Sequence, residues 1–322
     1  MVPRVPVLLS IGFAVALLVA PLLLDDWRLS QLAQLLTYGL FALSLAFIWG
    51  QAGILCFGQA IFFGVGAYVM ALVTLGEVPL LGTSQWTGLL CAMLGAGVVA
   101  LALGLFLFGG RGLTGAHLAI VTLCASVVVE IAARRWDFIG GFNGLLGVPP
   151  LMAPWERDDP YLSSIETYFL ILVIVGLVYG VLLWLSRSPF GTLLAAIRSN
   201  EDRTRFLGFE VTTAKLFAFT LSGVIAGLAG ALFTAQFGFV SPPLVGFALS
   251  TEVLIWVAVG GREVLLAAVA GAMLVRWGEN LLSDRLGQYW LLAMGLLFIL
   301  VVVVAPRGLF GRLLDLSARR RS

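Results

Sequence analysis

The stretch YFLILVIVGLVYGVLLWL (residues 168–185) carries no charge and runs straight into SRSPFGTLLAAIRSNEDRTRFLGFEVTTAK (186–215), where charges return. A helix needs about 20 apolar residues to cross a bilayer, and the first stretch has that length. Lipid offers the backbone no hydrogen bonds, so a spanning segment satisfies its own by being helical. Working outward, similar apolar runs cover 7–24, 31–49, 52–75, 86–108, 113–133, 216–235, 248–260, 264–277 and 289–305. Two of them, 248–260 and 264–277, are short and separated only by Gly260-Gly261-Arg262-Glu263. They read as short spans or as two arms of a broken or re-entrant helix. Run 7–24 exceeds the roughly 7–15-residue core of a signal peptide and reads as a retained span.

Composition agrees. Of 322 residues, 61% are hydrophobic and 11% charged, with mean hydropathy +1.06. Soluble domains carry about 45–50% apolar and about 25% charged residues, so a soluble enzyme is excluded. Disorder, which requires low hydrophobicity, is excluded too. The expected fold is all-α, a polytopic integral membrane protein with about ten transmembrane helices in one domain, 1–322. With the N-terminus inside, thirteen of the 19 basic residues fall on inside segments and six outside. This is the bias that orients membrane proteins, and it makes both termini cytoplasmic, loop 134–167 periplasmic and region 186–215 cytoplasmic. Net charge is only +2, which excludes a nucleic-acid reader working by bulk charge. Cys56, Cys91 and Cys124 all lie in apolar runs and form no CxxC pair, so no disulfide framework or metal site is expected.

Little here can do covalent chemistry. HExxH, GxSxG and a phosphate-binding GxxxxGK[ST] are all absent, so no cofactor, metal or ATP site is expected. The single histidine, His117, reads as a helix-packing polar residue, with a substrate contact as the alternative. Glu252 lies inside an apolar run, where carboxylates are expensive; it reads either as pathway-lining or a structural pair near the site, or as a helix-end residue. Glu130 reads as the partner of Arg134, one turn away, with a pathway role as the alternative. In 186–215, Ser188-Pro189 is a helix start and Gly208 a stop. Leu193, Leu194, Ile197, Phe206 and Leu207 recur at near-helical spacing among Arg198, Glu201, Asp202, Arg203 and Arg205. One or two amphipathic helices result, whose apolar face would fill a groove on a soluble partner; an ordinary solvated loop helix is the alternative. Small residues spaced four apart (Cys56, Ala60, Gly64; Gly223, Gly227, Ala231) favour close helix packing.

Several stretches, in this order, resemble the permeases of branched-chain amino acid ABC importers: Leu55-Cys-Phe-Gly58-Gln-Ala-Ile-Phe-Phe-Gly64-Val-Gly66-Ala-Tyr68, Gly140-Gly-Phe-Asn143-Gly-Leu145, Ser188 to Glu201 with Phe206-Leu207-Gly208, Ser222 to Phe233, and Val257-Ala-Val-Gly-Gly261-Arg262. The resemblance implies a second-subunit permease of the bacterial inner membrane. It would pair with a related permease subunit, be driven by two cytoplasmic ATPase subunits and receive solute from a periplasmic binding protein. It also implies that Pro189, Phe190, Gly191, Leu194, Ile197, Arg198, Asn200, Glu201, Phe206, Leu207 and Gly208 form an ATPase-coupling region. Helices around Gly58, Gly64, Gly66, Gly223, Gly227 and Gly230 would pack closely and slide, and Asn143, Glu252 and Trp256 are pathway candidates.

Some features depart from that family. Glu263-Val264 stands where a small Gly-containing segment is usual; Glu263 could pair with Arg262 at the inner surface. Arg205 to Phe209 and Glu252 to Arg262 also resemble a related branch that carries urea and short amides. A stand-alone channel or secondary transporter would share this hydropathy, but a secondary transporter needs coupling-ion groups in mid-membrane, and only Glu252 qualifies. A membrane enzyme lacks its catalytic constellation.

Overall fold

The computed structural model describes residues 4–109, 112–153, 161–286 and the single positions 289, 292, 295, 296 and 308. Most of the tenth apolar run and the C-terminal tail, with its Arg cluster, lie outside the described residues. The described chain is helical: α1 (Arg4–Leu23), α2 (Asp26–Ala52), α3 (Gln59–Thr74), α4 (Gln85–Phe108), α5 (Gly115–Arg135), α6 (Ser164–Arg187), α7 (Pro189–Ser199), α8 (Glu201–Phe206), α9 (Val211–Phe237), α10 (Phe247–Gly260) and α11 (Leu265–Leu286). One two-residue ladder, β1 (Leu145–Leu146) against β2 (Phe239–Val240), runs antiparallel and pins the 134–167 loop to the end of α9.

Among the described residues, α2, α4, α5, α6 and α9 are long and apolar enough to cross a membrane. Helix α10 and residues 265–281 of α11 form a pair bent by 117°, which makes a sixth if counted as one span. By this measure five or six of the described helices qualify as crossings, and most of the tenth run suggested by the sequence lies outside the described residues. One difference lies at run 52–75. Gly53 ends α2 in the left-handed region (φ 71°), and α3 does not begin until Gln59. Residues 53–58 are non-helical, with Ile54, Cys56 and Gly58 buried. Irregular backbone at this position survives because side chains from distant helices satisfy it. Phe57 N–H donates to Thr122 Oγ1 at 3.1 Å, and Ala60 N–H donates to Ser250 Oγ at 3.0 Å. Gln59 Nε2 reaches Ser44 Oγ and Ser222 Oγ at 2.9 and 2.8 Å. A second difference is that α11 continues to Leu286. Arg276, which the hydropathy pattern puts at the end of a span, therefore lies well inside a helix.

The core is the packing of α3, α4 and α9 on one another, with α2 laid across α6, α9 and α11. Glycine makes the α3–α9 contact possible. A Cβ at Gly66 would strike the Gly227 carbonyl, and one at Gly230 would strike the Phe63 carbonyl. On the other side of α9, a Cβ at Gly223 or Gly227 would strike Ala100 or Ala96 of α4. Gly64 likewise admits Val245, and Gly58 the Thr122 backbone. Each of the six glycines read as packing positions thus sits at a close approach. Aromatic side chains fill the space between α2, α3 and α9: Phe41 and Phe63 lie 4.6 Å apart, and Phe233 and Phe237 4.2 Å.

Candidate coupling surface and charge cluster

Helix α7 starts where its sequence says it should. Ser188 caps it, its hydroxyl accepting from Gly191 N–H, and Pro189 occupies the first turn. Asn200 caps α8 by accepting from Arg203 N–H at 2.9 Å. Gly208 closes the pair at φ 89°. Gly191 is needed because a Cβ there would strike the Ser186 backbone.

The amphipathic face, however, points inward. Gly191, Leu194 and Ile197 are buried, and α7 packs on α2, α6 and α9 of its own chain. The expected docking face is therefore permease core. Phe190 is half-buried and stacks edge-on with Phe217 of α9 at 5.3 Å. The apolar residues left outward are Phe206, Leu207 and Phe209, with Phe206 91% exposed. Arg203 and Arg205 beside them are also exposed.

Charged residues fasten this unit to three other elements. Arg198 Nη2 is 2.6 Å from Glu263 Oε1 in the α10–α11 turn, and its Nη1 donates to the Gly50 carbonyl at the end of α2. Glu263 thus pairs with Arg198 rather than Arg262, which instead lies 5.5 Å over the Trp49 ring. Glu201 takes Lys215 of α9 at 2.9 Å and Arg205 at 3.3 Å. Lys215 is buried, and its ammonium sits 4.8 Å over the Phe108 ring. A cavity of about 530 Å³ opens between the α2–α3 break, the start of α5 and the end of α7; Ile54, Thr114, Arg198, Glu201 and Lys215 line it. His117 is exposed in the first turn of α5 rather than packed between helices.

Away from α7, Glu252, Tyr38, Trp256, Arg276 and Glu279 meet. Arg276 Nη1 lies 2.6 Å from Glu279 Oε2 and 3.7 Å from Glu252 Oε2. Its Nη2 donates to the Tyr38 hydroxyl at 2.9 Å. The guanidinium is 4.3 Å over the Tyr38 ring and 5.6 Å over Trp256. Trp256 is fully buried, so it floors this cluster rather than lining an open passage. Asn143 is exposed in the turn Gly141–Asn143, which packs on α5 and on residues 242–245. Glu130 pairs with Arg134 at 2.5 Å, as the spacing suggests. Arg276, Glu279 and Tyr38 are not marked by any motif in the sequence; the charges inside α11 are the available signal.

The family described as "Branched-chain amino acid transport system / permease component" matches residues 28–304. The chain belongs to this family. It is similar to the high-affinity branched-chain amino acid transport system permease protein LivM of Salmonella typhimurium, 33% identical, covering 92% of this chain and 74% of that protein. LivM of Escherichia coli is 32% identical over the same shares. The Pseudomonas aeruginosa permease protein BraD is 24% identical over 86% of this chain and 92% of its own length. No solved structure matches. The chain is thus a multi-pass membrane permease component and not an enzyme. The urea and short-amide branch gains no support from these relatives, all three named for branched-chain amino acids.

Proposed function

We propose that this permease is the second membrane subunit of an ATP-binding-cassette importer that carries branched-chain amino acids inward across a bacterial inner membrane. A related permease subunit completes the membrane part, two ATPase subunits bind at the α7–α8 end, and a periplasmic binding protein delivers solute at the other. Both termini are cytoplasmic, and the ten-crossing arrangement is part of this reading. The supporting observation is the Arg198 latch: one side chain on α7 holds both the end of α2 and the α10–α11 turn. Motion imposed on α7 reaches two long membrane helices through it. Phe206, Leu207 and Gly208 form the apolar tip that enters an ATPase groove. Pro189, Phe190, Gly191, Leu194, Ile197 and Asn200 shape and seat the helices, while Arg198 and Glu201 transmit. Glu252 belongs to the pathway, and Asn143 to the surface that receives the binding protein.

The test is leucine uptake into proteoliposomes bearing the two permease subunits, with and without the ATPases, binding protein and ATP. Uptake should require all of them. Uptake at full rate without the ATPases would make this a channel or secondary transporter instead.

A further inference from the structure

The Glu252–Arg276–Glu279 cluster lies deep in the helical bundle. Tyr38, which it contacts, is about 18 Å from the start of α2 and about 21 Å from its end at 1.5 Å per residue, in a helix spanning Asp26–Ala52. Yet the Glu252 side chain is 35% exposed and that of Arg276 is 25% exposed. Bare ionic groups at such depth are costly against lipid and are found facing a bundle interior or a water-filled passage. The face of α10 and α11 that shows them is therefore not a lipid face.

The pairing inside the cluster is unequal. Glu279, 8% exposed, holds Arg276 at 2.6 Å, and Tyr38 takes the other nitrogen. Glu252 stands 3.7 Å from Arg276, beyond hydrogen-bond range. Two carboxylates share one guanidinium, and Glu252 is the more exposed and less committed of the two. Beneath them the fully buried Trp256 closes the floor of the cluster, its indole N–H directed at Glu279.

We propose that Glu252 is the specificity residue for the ammonium group of the transported zwitterion. Arg276, fixed by Glu279 and Tyr38, positions Glu252 and admits the carboxylate beside it. This deepens the importer reading above and rests on it. The passage runs over this face of α10 and α11, enclosed by the second permease subunit.

Two measurements on the assembled complex test it. In a background lacking Cys56, Cys91 and Cys124, Glu252→Cys should react with a charged, membrane-impermeant methanethiosulfonate, more slowly when leucine-loaded binding protein is engaged. Labelling by a lipid-soluble maleimide alone, or by neither reagent, overturns the proposal. In uptake, Glu252→Gln should lower leucine transport about tenfold or more while ATP hydrolysis persists, and Glu252→Asp should retain part of the rate. Unchanged uptake by Glu252→Gln overturns it. A wild-type complex that carries no branched-chain amino acid would fail the importer reading instead, and the labelling result would still stand for the passage.

Discussion

Arg198 and Glu263 lie 2.6 Å apart across a sequence separation of 65 residues, joining the short helix α7 to the turn between α10 and α11. The same guanidinium holds the Gly50 carbonyl of α2. Helix α7 is therefore clamped to the ends of the two elements, α2 and α10–α11, that carry Tyr38, Glu252 and Arg276 farther along. The Glu263 carboxylate is what makes the clamp ionic.

Both side chains of this pair are partly exposed, 36% and 49%, so it adds ~1 kcal/mol or less to stability. Glu263→Gln should leave the melting temperature of the detergent-solubilised complex nearly unchanged while lowering leucine transported per ATP. A large fall in melting temperature would show that the pair holds the fold rather than transmitting motion.

Burial separates two classes of coupling-region residue. Leu194 is fully buried, so Leu194→Ala should destabilise the permease by roughly 2–5 kcal/mol, read as a lower unfolding temperature. Phe206→Asp, at an exposed position, should leave that temperature alone and weaken co-purification of the ATPases. Equal ATPase binding by Phe206→Asp would remove the apolar tip from the interface.

The α3–α9 contact predicts intolerance of any side chain. Gly230→Val forces a branched side chain against the Phe63 carbonyl and should destabilise by about 1–3 kcal/mol or more. Gly176→Ala in α6 meets nothing within 4 Å and serves as a neutral comparison. Matching thermal stability of the two variants would contradict backbone-to-backbone packing.

The start of α3 depends on borrowed hydroxyls. Ser250→Ala leaves the Ala60 N–H without its acceptor, and Thr122→Ala does the same to Phe57. Each buried group left unpaired should cost about 1–3 kcal/mol. Melting curves of the single variants check this, and a loss well under 0.5 kcal/mol for both, roughly, would mean that water replaces the hydroxyls.

Local signals were legible in the sequence: the Ser188-Pro189 start, the Gly208 stop, the Glu130–Arg134 turn and the glycine contacts all stand in the structure. Long-range ones were not. The break at 53–58 lies in an apolar run and depends on hydroxyls 65 and 190 residues away, which hydropathy does not weigh. The inward turn of Leu194 and Ile197 follows from contacts with α2, α6 and α9 that periodicity cannot assign to self or partner. Arg276 looked like a loop charge because hydropathy falls there, whereas the helix runs on and neutralises it with Glu279.

The most direct test of the clamp is leucine transported per ATP hydrolysed by the reconstituted complex carrying Arg198→Ala. That ratio should fall several-fold with ATP hydrolysis still present, and recover in part with Arg198→Lys, which keeps the charge opposite Glu263. A ratio equal to wild type in Arg198→Ala would contradict it.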